Sequence, residues 1–243
     1  MKKIILSIEG LSFKYDDQTV LEDVTIQVEE GEFIGIFGPN GGGKTTLLKL
    51  MMGMLRPEKG TIKLLGASPK QVRHKIGYVP QTLHCDKDFP ISVFDVVMMG
   101  TLSKLPWWGG YTKELKQKAI IALEQVGLAQ LKKQSFGTLS GGQAQRALIA
   151  RAIVDSPKIL LLDEPTASID PQAEVEILQL LLNLNKTMTI IMITHDLQVI
   201  IDKSKRLFCV DRKVSAMRTK EVCEHFALGL YHTPLTSKDH FNF

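Results

Sequence analysis

Apolar residues fall along this chain in short runs rich in Val, Ile, Leu and Phe, separated by stretches with helical spacing. The runs at 4–8, 24–28, 33–37, 76–79, 159–162, 189–193 and 206–210 read as strands. Helical patterns occupy 45–52, 113–126, 144–154 and 173–184. Strands alternating with helices predict an α/β domain with a mostly parallel central sheet. The first strands have no helix between them, so an antiparallel β layer is expected ahead of that sheet. From about 82 to 155 there is almost no strand signal, and Pro90, Pro106 and Gly109-Gly110 punctuate the interval. The expected organisation is one domain: an α/β core at 1–81 and 156–215, an inserted helical lobe at 82–155, and a short polar tail at 216–243. No internal repeat, low-complexity tract or heptad array interrupts it.

Composition narrows the class. The 243 residues, 44% hydrophobic and 23% charged, suit one large globular domain with a sizeable core. A net charge of +4 is too small to argue for a nucleic-acid partner. No apolar run approaches the roughly 20 residues needed to cross a bilayer; the best, 188–193, contains Thr189 and is closed by Thr194 and His195. The opening Met-Lys-Lys-Ile-Ile-Leu meets Ser7, Glu9 and Lys14 too early for a signal peptide, and reads as a mature cytosolic N-terminus. Cys85, Cys209 and Cys223 are widely spaced and read as reduced thiols.

The first candidate chemistry is Gly38-Pro39-Asn40-Gly41-Gly42-Gly43-Lys44-Thr45, set between the apolar run 33–37 and the helical run that opens at Thr46. Glycines let backbone N–H groups turn inward around an anion, and the following helix directs its positive end at it. Lys44 supplies a mobile charge for the β- and γ-phosphates, and Thr45 a hydroxyl for Mg²⁺. A second feature makes the nucleotide one to be hydrolysed. The apolar run 159–162 ends in Asp163-Glu164-Pro165, two acids at the carboxyl end of a buried strand, where parallel sheets bind ligands. Neighbouring strand residues face opposite ways, so Asp163 is expected in the Mg²⁺ shell and Glu164 against the attacking water.

Leu139-Ser140-Gly141-Gly142-Gln143, followed by Ala144-Gln145-Arg146, resembles the signature sequence of ABC-type ATPases. Other pieces match in the family's order: Tyr15 resembles the aromatic that stacks on adenine, and Gln81 in Tyr78-Val79-Pro80-Gln81 the Q-loop. Asp170 resembles the D-loop acid, and His195 in Thr194-His195-Asp196 the switch histidine. The resemblance runs from about residue 4 to 210. It implies the ABC ATPase fold, a P-loop NTPase core carrying an antiparallel layer and a helical lobe. It also implies ATP and Mg²⁺ as cofactors. Nucleotide contacts would come from Tyr15, the loop 38–45 with Thr46, Ser140, Gly141, Gly142, Gln143 and Asp170. Metal contacts would come from Thr45, Gln81 and Asp163, and catalytic ones from Glu164, Gln81 and His195. The signature of one chain would meet ATP held by a second, so a homodimer is implied.

Structural readings stand beside several of these. Ser140 is a good N-cap for a helix beginning near Gln143, and Asp170 before Pro171 is an N-cap with proline at the first helical position. His195 at a strand end also suits a core-edge residue, and Tyr15 ordinary packing.

The apolar segment 89–100, then Trp107-Trp108, then Leu123 to Leu131, resembles ATP-binding subunits of importers for zinc, manganese or iron. That resemblance implies integral membrane permease subunits, an external metal-binding protein, no nucleic acid, and a peripheral place on the cytoplasmic face of the membrane. Exposed aromatics and methionines in the lobe would then form a docking groove; otherwise they are lobe core. The competing class is a soluble ABC ATPase acting in assembly or on nucleic acid or ribosomes. Lys113, Lys116, Lys118, Lys132 and Lys133 read as a solvated helix face. His84-Cys85-Asp86 and His225, His232 and His240 lack the spacing of a structural zinc site and read as surface residues.

Overall fold

The computed structural model describes residues 3–81, 89–107, 109–167, 169–195, 204 and 206–218. Its elements in chain order are β1 (Ile4–Tyr15), β2 (Gln18–Glu29), β3 (Phe33–Phe37), α1 (Lys44–Met51), β4 (Lys59–Leu64), α2 (Pro69–Val72) and β5 (Ile76–Val79). There follow α3 (Val93–Met98), α4 (Lys113–Gln125), α5 (Gly141–Ile153), β6 (Ile159–Asp163), α6 (Pro171–Asn185), β7 (Thr189–Ile193), β8 (Arg206–Asp211) and β9 (Lys213–Arg218). Two compact units share them, Met1–Lys70 with Ile193–Phe243, and Gln71–Met192.

In the first unit β1 lies between β2 and β4, antiparallel to both. This is the antiparallel layer that the missing early helices predicted. Alternation sets its faces: Leu21, Val24, Ile26 and Val28 are buried on β2, and Thr25 and Gln27 between them are exposed. Both strands of the hairpin outrun their apolar cores. β1 continues past Ile8 because Gly10 takes a φ of 57° where the pairing register shifts, so the ladder resumes at Leu11. β4 was not legible beforehand; only Ile62 and Leu64 face inward, and its first residues are polar or glycine. A second group of strands pairs β3 parallel with β8, from Ile34–Arg206 to Phe37–Cys209. After Asp211 comes β9, antiparallel to β8 as far as Arg218, which takes in the first residues of the expected polar tail at 216–243. None of residues 213–217 is fully buried, so no apolar alternation marks the strand in the sequence.

In the second unit β5, β6 and β7 are neighbours in that order, and β5 runs parallel to β6. Every residue of β6 is buried, which is why it reads as an unbroken apolar run. Helices α3, α4 and α5 pack on one another, burying Val93, Val96, Val97, Leu115, Ala119, Leu123, Ala147 and Leu148. Each fully buried Leu or Val there contributes roughly 1.5–3 kcal/mol. Polar starts fix the helices: Ser92 and Asp95 form a capping box on α3, and Thr112 caps α4. Asp155 ties the group together by pairing with Lys104 and, at 3.9 Å, with Lys118.

Candidate functional site

The first unit carries the phosphate-loop residues. β3 delivers the chain at Phe37, and the next regular element begins only at Lys44. Between them Gly38, Gly41 and Gly43 have φ of 143°, 78° and 102°, conformations that side-chain-bearing residues rarely adopt. Gly38 has a second reason to be glycine: a Cβ there would lie 2.1 Å from the Val210 carbonyl oxygen. Gly43 is pressed from the other side, where a Cβ would come within 2.8 Å of Leu21 Cδ2. A Cβ on Gly41 would meet nothing within 4 Å, so the loop is open there. The result is a glycine turn wedged between β2 and the end of β8, with its middle facing outward.

Backbone hydrogen bonds hold that turn. Gly42 N–H donates to Pro39 O at 3.1 Å, and Gly42 O accepts from Arg212 N–H at 3.1 Å. Arg212 itself has a φ of 55°, and its carbonyl accepts from Glu22 N–H at 2.8 Å. The β8–β9 turn thus staples the loop to β2. Sequence reasoning missed Arg212, which lies far along the chain and acts only through its main chain. Lys44 is 6% exposed, and its ammonium donates to the carbonyls of Gly38 and Pro39, both at 2.9 Å. A buried ammonium needs such acceptors. Its charge reaches Cys209 on β8, where it counters the burial and the Asp211 charge that push that thiol's pKa up. Thr45 is exposed at the helix start, Thr46 half-buried, and Pro39 and Asn40 exposed. A cation, a positive helix end and a glycine-rich turn together make an anion cradle.

Tyr15 belongs to the same unit. It is 44% exposed at the end of β1, with its ring edge-on to Phe13 at 4.9 Å. Phe13 pairs with Leu21, the residue pressed on Gly43, so the exposed ring is linked to the loop through Phe13 and Leu21. His195 follows Thr194, whose N–H donates to Ile36 O at 3.0 Å; this lays the histidine beside the end of β3, exposed.

The second unit holds the acids. Asp163 closes β6 and is 4% exposed. Its charge adds to burial in raising the pKa of Tyr78 on β5. The two acids were expected to diverge by strand pleating, but the strand ends at Asp163 and a left-handed turn separates them. Glu164 has a φ of 49°, a strained setting that costs about 1–3 kcal/mol and occurs most at functional sites. Gln81 Nε2 donates to Glu164 Oε2 at 2.6 Å, so the two residues expected near the water meet each other directly.

The helix expected to begin near Gln143 begins at Gly141. Ser140 is its N-cap, accepting from Gln143 N–H at 3.3 Å, while Gln143 Oε1 accepts from Ser140 N–H at 3.1 Å. This capping box satisfies two N-terminal groups at once. Gly141 is exposed and Gly142 buried. Asp170 caps α6 by accepting from Ala173 N–H at 2.9 Å, with Pro171 in the first turn. In the lobe, Ile91, Val96 and Met98 are buried, whereas Phe89, Met99, Leu102 and Trp107 are 55%, 43%, 54% and 92% exposed. The segment therefore serves as core and as an apolar surface. Trp108, the run 84–86, Asp196 and the histidines at 225, 232 and 240 lie outside the described residues. Among the described residues no group of His, Cys, Asp and Glu could hold a metal ion by itself.

The ABC transporter family pattern matches residues 21–167. The chain is 45% identical over 234 residues to the "Probable metal transport system ATP-binding protein" of Chlamydia muridarum, covering 95% of this chain and 98% of that one. It is 41% identical over 212 residues to the manganese transport system ATP-binding protein MntB of Listeria innocua, covering 87% and 88%. Its fold matches the ATP-binding cassette MJ0796, solved as a dimer in a post-hydrolysis state bound to ADP and Pi. That match has a TM-score of 0.74 and 26% identity, over 88% of this chain and 98% of that one.

Proposed function

Because this chain belongs to the ABC transporter ATP-binding family, we propose that its ATPase activity energises a membrane importer of divalent metal ions: zinc, manganese or iron. The observation that carries this reading is similarity to a metal transport ATP-binding protein along nearly the whole chain. The exposed Phe89, Met99, Leu102 and Trp107 supply an apolar surface on the lobe for a permease subunit. Among the described residues no helix is long and apolar enough to cross a membrane. The subunit accordingly sits at the cytoplasmic face, held there by its permease, with an external metal-binding protein delivering the ion.

In this reading Tyr15 stacks on adenine, and the loop 38–45 with Thr46 wraps the phosphates. Lys44 exchanges its two loop carbonyls for β- and γ-phosphate oxygens. The donor set suits Mg²⁺, a hard cation that takes few protein oxygens, carboxylate included, alongside phosphate. Thr45, Asp163 and Gln81 would hold it, and when bound it neutralises charge on the phosphates. Glu164 takes the proton of the attacking water, and Gln81 holds that carboxylate in place until substrate enters. His195 contacts the γ-phosphate. A second copy closes the site with its Ser140, Gly141, Gly142 and Gln143, aiming a capped helix end at the γ-phosphate, and Asp170 lies on the same contact.

Two measurements test the reading. Glu164→Gln should bind ATP, lose turnover by about 10²-fold or more, and run as an ATP-dependent dimer on gel filtration; rapid hydrolysis would remove Glu164 as the base. Affinity purification from membranes should recover a polytopic membrane protein that stimulates ATP hydrolysis, and manganese or zinc uptake should need this chain. Recovery with soluble partners alone would overturn the transport reading.

A further inference from the structure

Contacts between α5 and the segment that runs from Ile169 into α6 lie in a regular series. A Cβ added at Gly141 would meet Ile169 Cγ2 at 3.4 Å, and one at Gly142 would meet Ala173 Cβ at 2.6 Å. Further along, Arg146 Nη1 pairs with Glu176 Oε2 at 2.9 Å. The contacts advance in the same direction on both helices. From 142 to 146 α5 climbs about 6 Å, and from 173 to 176 α6 climbs about 4.5 Å. The two helices thus run side by side in the same sense, first turn against first turn.

That arrangement sets two positive helix ends together, which the helix dipoles oppose. Close packing and specific fastenings must offset the repulsion. Gly142 is absent from the positive-φ glycines, so its lack of a side chain serves proximity and not backbone freedom. Ala173 meets it with the smallest side chain that still favours a helix. Arg146 is only 24% exposed, and its buried Nε finds no acceptor among the described residues. Glu176 is the group that orients its guanidinium.

We infer that the Gly142–Ala173 interlock and the Arg146–Glu176 pair fix the signature cap Ser140 relative to Asp170, making Ala173, Arg146 and Glu176 positioning residues for hydrolysis. The inference rests on the reading that the Ser140 end completes an ATP site on a second copy. None of the three residues touches the nucleotide of its own chain in that reading. Their loss should therefore lower kcat and leave ATP affinity at the phosphate loop unchanged.

The experiment compares Arg146→Glu, Glu176→Arg and the double reversal in the purified chain. ATP turnover gives kcat and KM, and a fluorescent ATP analogue gives binding. Each single reversal should lower kcat about fivefold at constant analogue affinity, and the double should return to within about twofold of the wild type. Ala173→Val should lower kcat in the same way by prising α5 from α6. Should that variant fail to fold, the reversal pair decides alone. A double reversal as slow as the slower single, or singles as fast as wild type, would overturn the inference. Ser140→Arg separates the two levels. If it hydrolyses ATP normally, the underlying reading of the signature end fails. If it is inactive while the reversals and Ala173→Val are all normal, only the positioning inference fails.

Discussion

The phosphate loop of the first unit and the signature end of the second both open a helix, yet they are held in different ways. The loop is fixed by main chain: glycines at positive φ, the Val210 carbonyl beneath Gly38, and the Arg212 amide on Gly42. The signature end is fixed by side chains, with Ser140 and Gln143 capping each other and Arg146 reaching Glu176. Where this main-chain device is closely packed, at Gly38 and Gly43, it leaves no room for an added atom, so damage there is close to all-or-none. A side-chain device loses its contributions one at a time, each on the order of 1 kcal/mol. In the proposed reading the firm part would hold the nucleotide, and the graded part would meet a second copy.

The difference can be broken at several strengths. Lys44→Ala should have the largest effect, removing the buried cation and lowering turnover by about 10²–10³-fold; phosphate release at saturating ATP would show it, and a small loss would mean the loop holds ATP by backbone alone. Gly38→Ala should destabilise the fold by about 2–4 kcal/mol, since it adds a 2.1 Å collision to a forbidden φ. Urea denaturation measures that, and a near-neutral value would show the loop to be as adaptable as the signature end. Ser140→Ala should cost about 1 kcal/mol by the same measurement, with Ser140→Asp retaining the cap. A loss as large as that at Gly38 would erase the distinction.

The smallest effect is in alkaline solution, where each unit holds an acidic side chain that reports on it. Burial, then Asp211, raise the Cys209 thiol above its ordinary 9.0, and burial, then Asp163, raise the Tyr78 phenol above 10.0. The unfolded chain therefore gives up these protons first as pH rises. Their contribution to stability is complete below about pH 9 and is lost as pH climbs through the folded values. Cys209→Ser should remove the part that begins near pH 9, leaving the phenol's part. An unchanged pH profile in that variant would show that the thiol does not report on the loop.

Much of this was legible in the chain. Strands whose buried residues form unbroken runs, such as β3 and β6, announce themselves, and so do caps, because the capping residue and its partner are three positions apart. Ser140 with Gln143 and Asp170 with Ala173 belong to this class. What escaped was non-local or polar. β4 and β9 exist because a neighbouring strand pairs with them, and β1 crosses Gly10 only because a bulge absorbs it. The start of α5 moved from Gln143 to Gly141 because a capping box outweighs the low helix propensity of glycine.

Sequence alone laid out the candidate chemistry: a glycine loop with Lys44 after a strand, an acid ending another strand with a second acid just beyond it, and a capped signature helix. Spacing along the chain suffices for these because each is built within a few residues of backbone. What each group touches before substrate arrives was settled by the three-dimensional packing. It gave Lys44 the carbonyls of its own loop, bound Gln81 to Glu164, set Arg212 under Gly42, and packed Gly142 on Ala173. Three of those contacts join residues distant in sequence, and all are settled by packing at ångström scale, which no periodicity records.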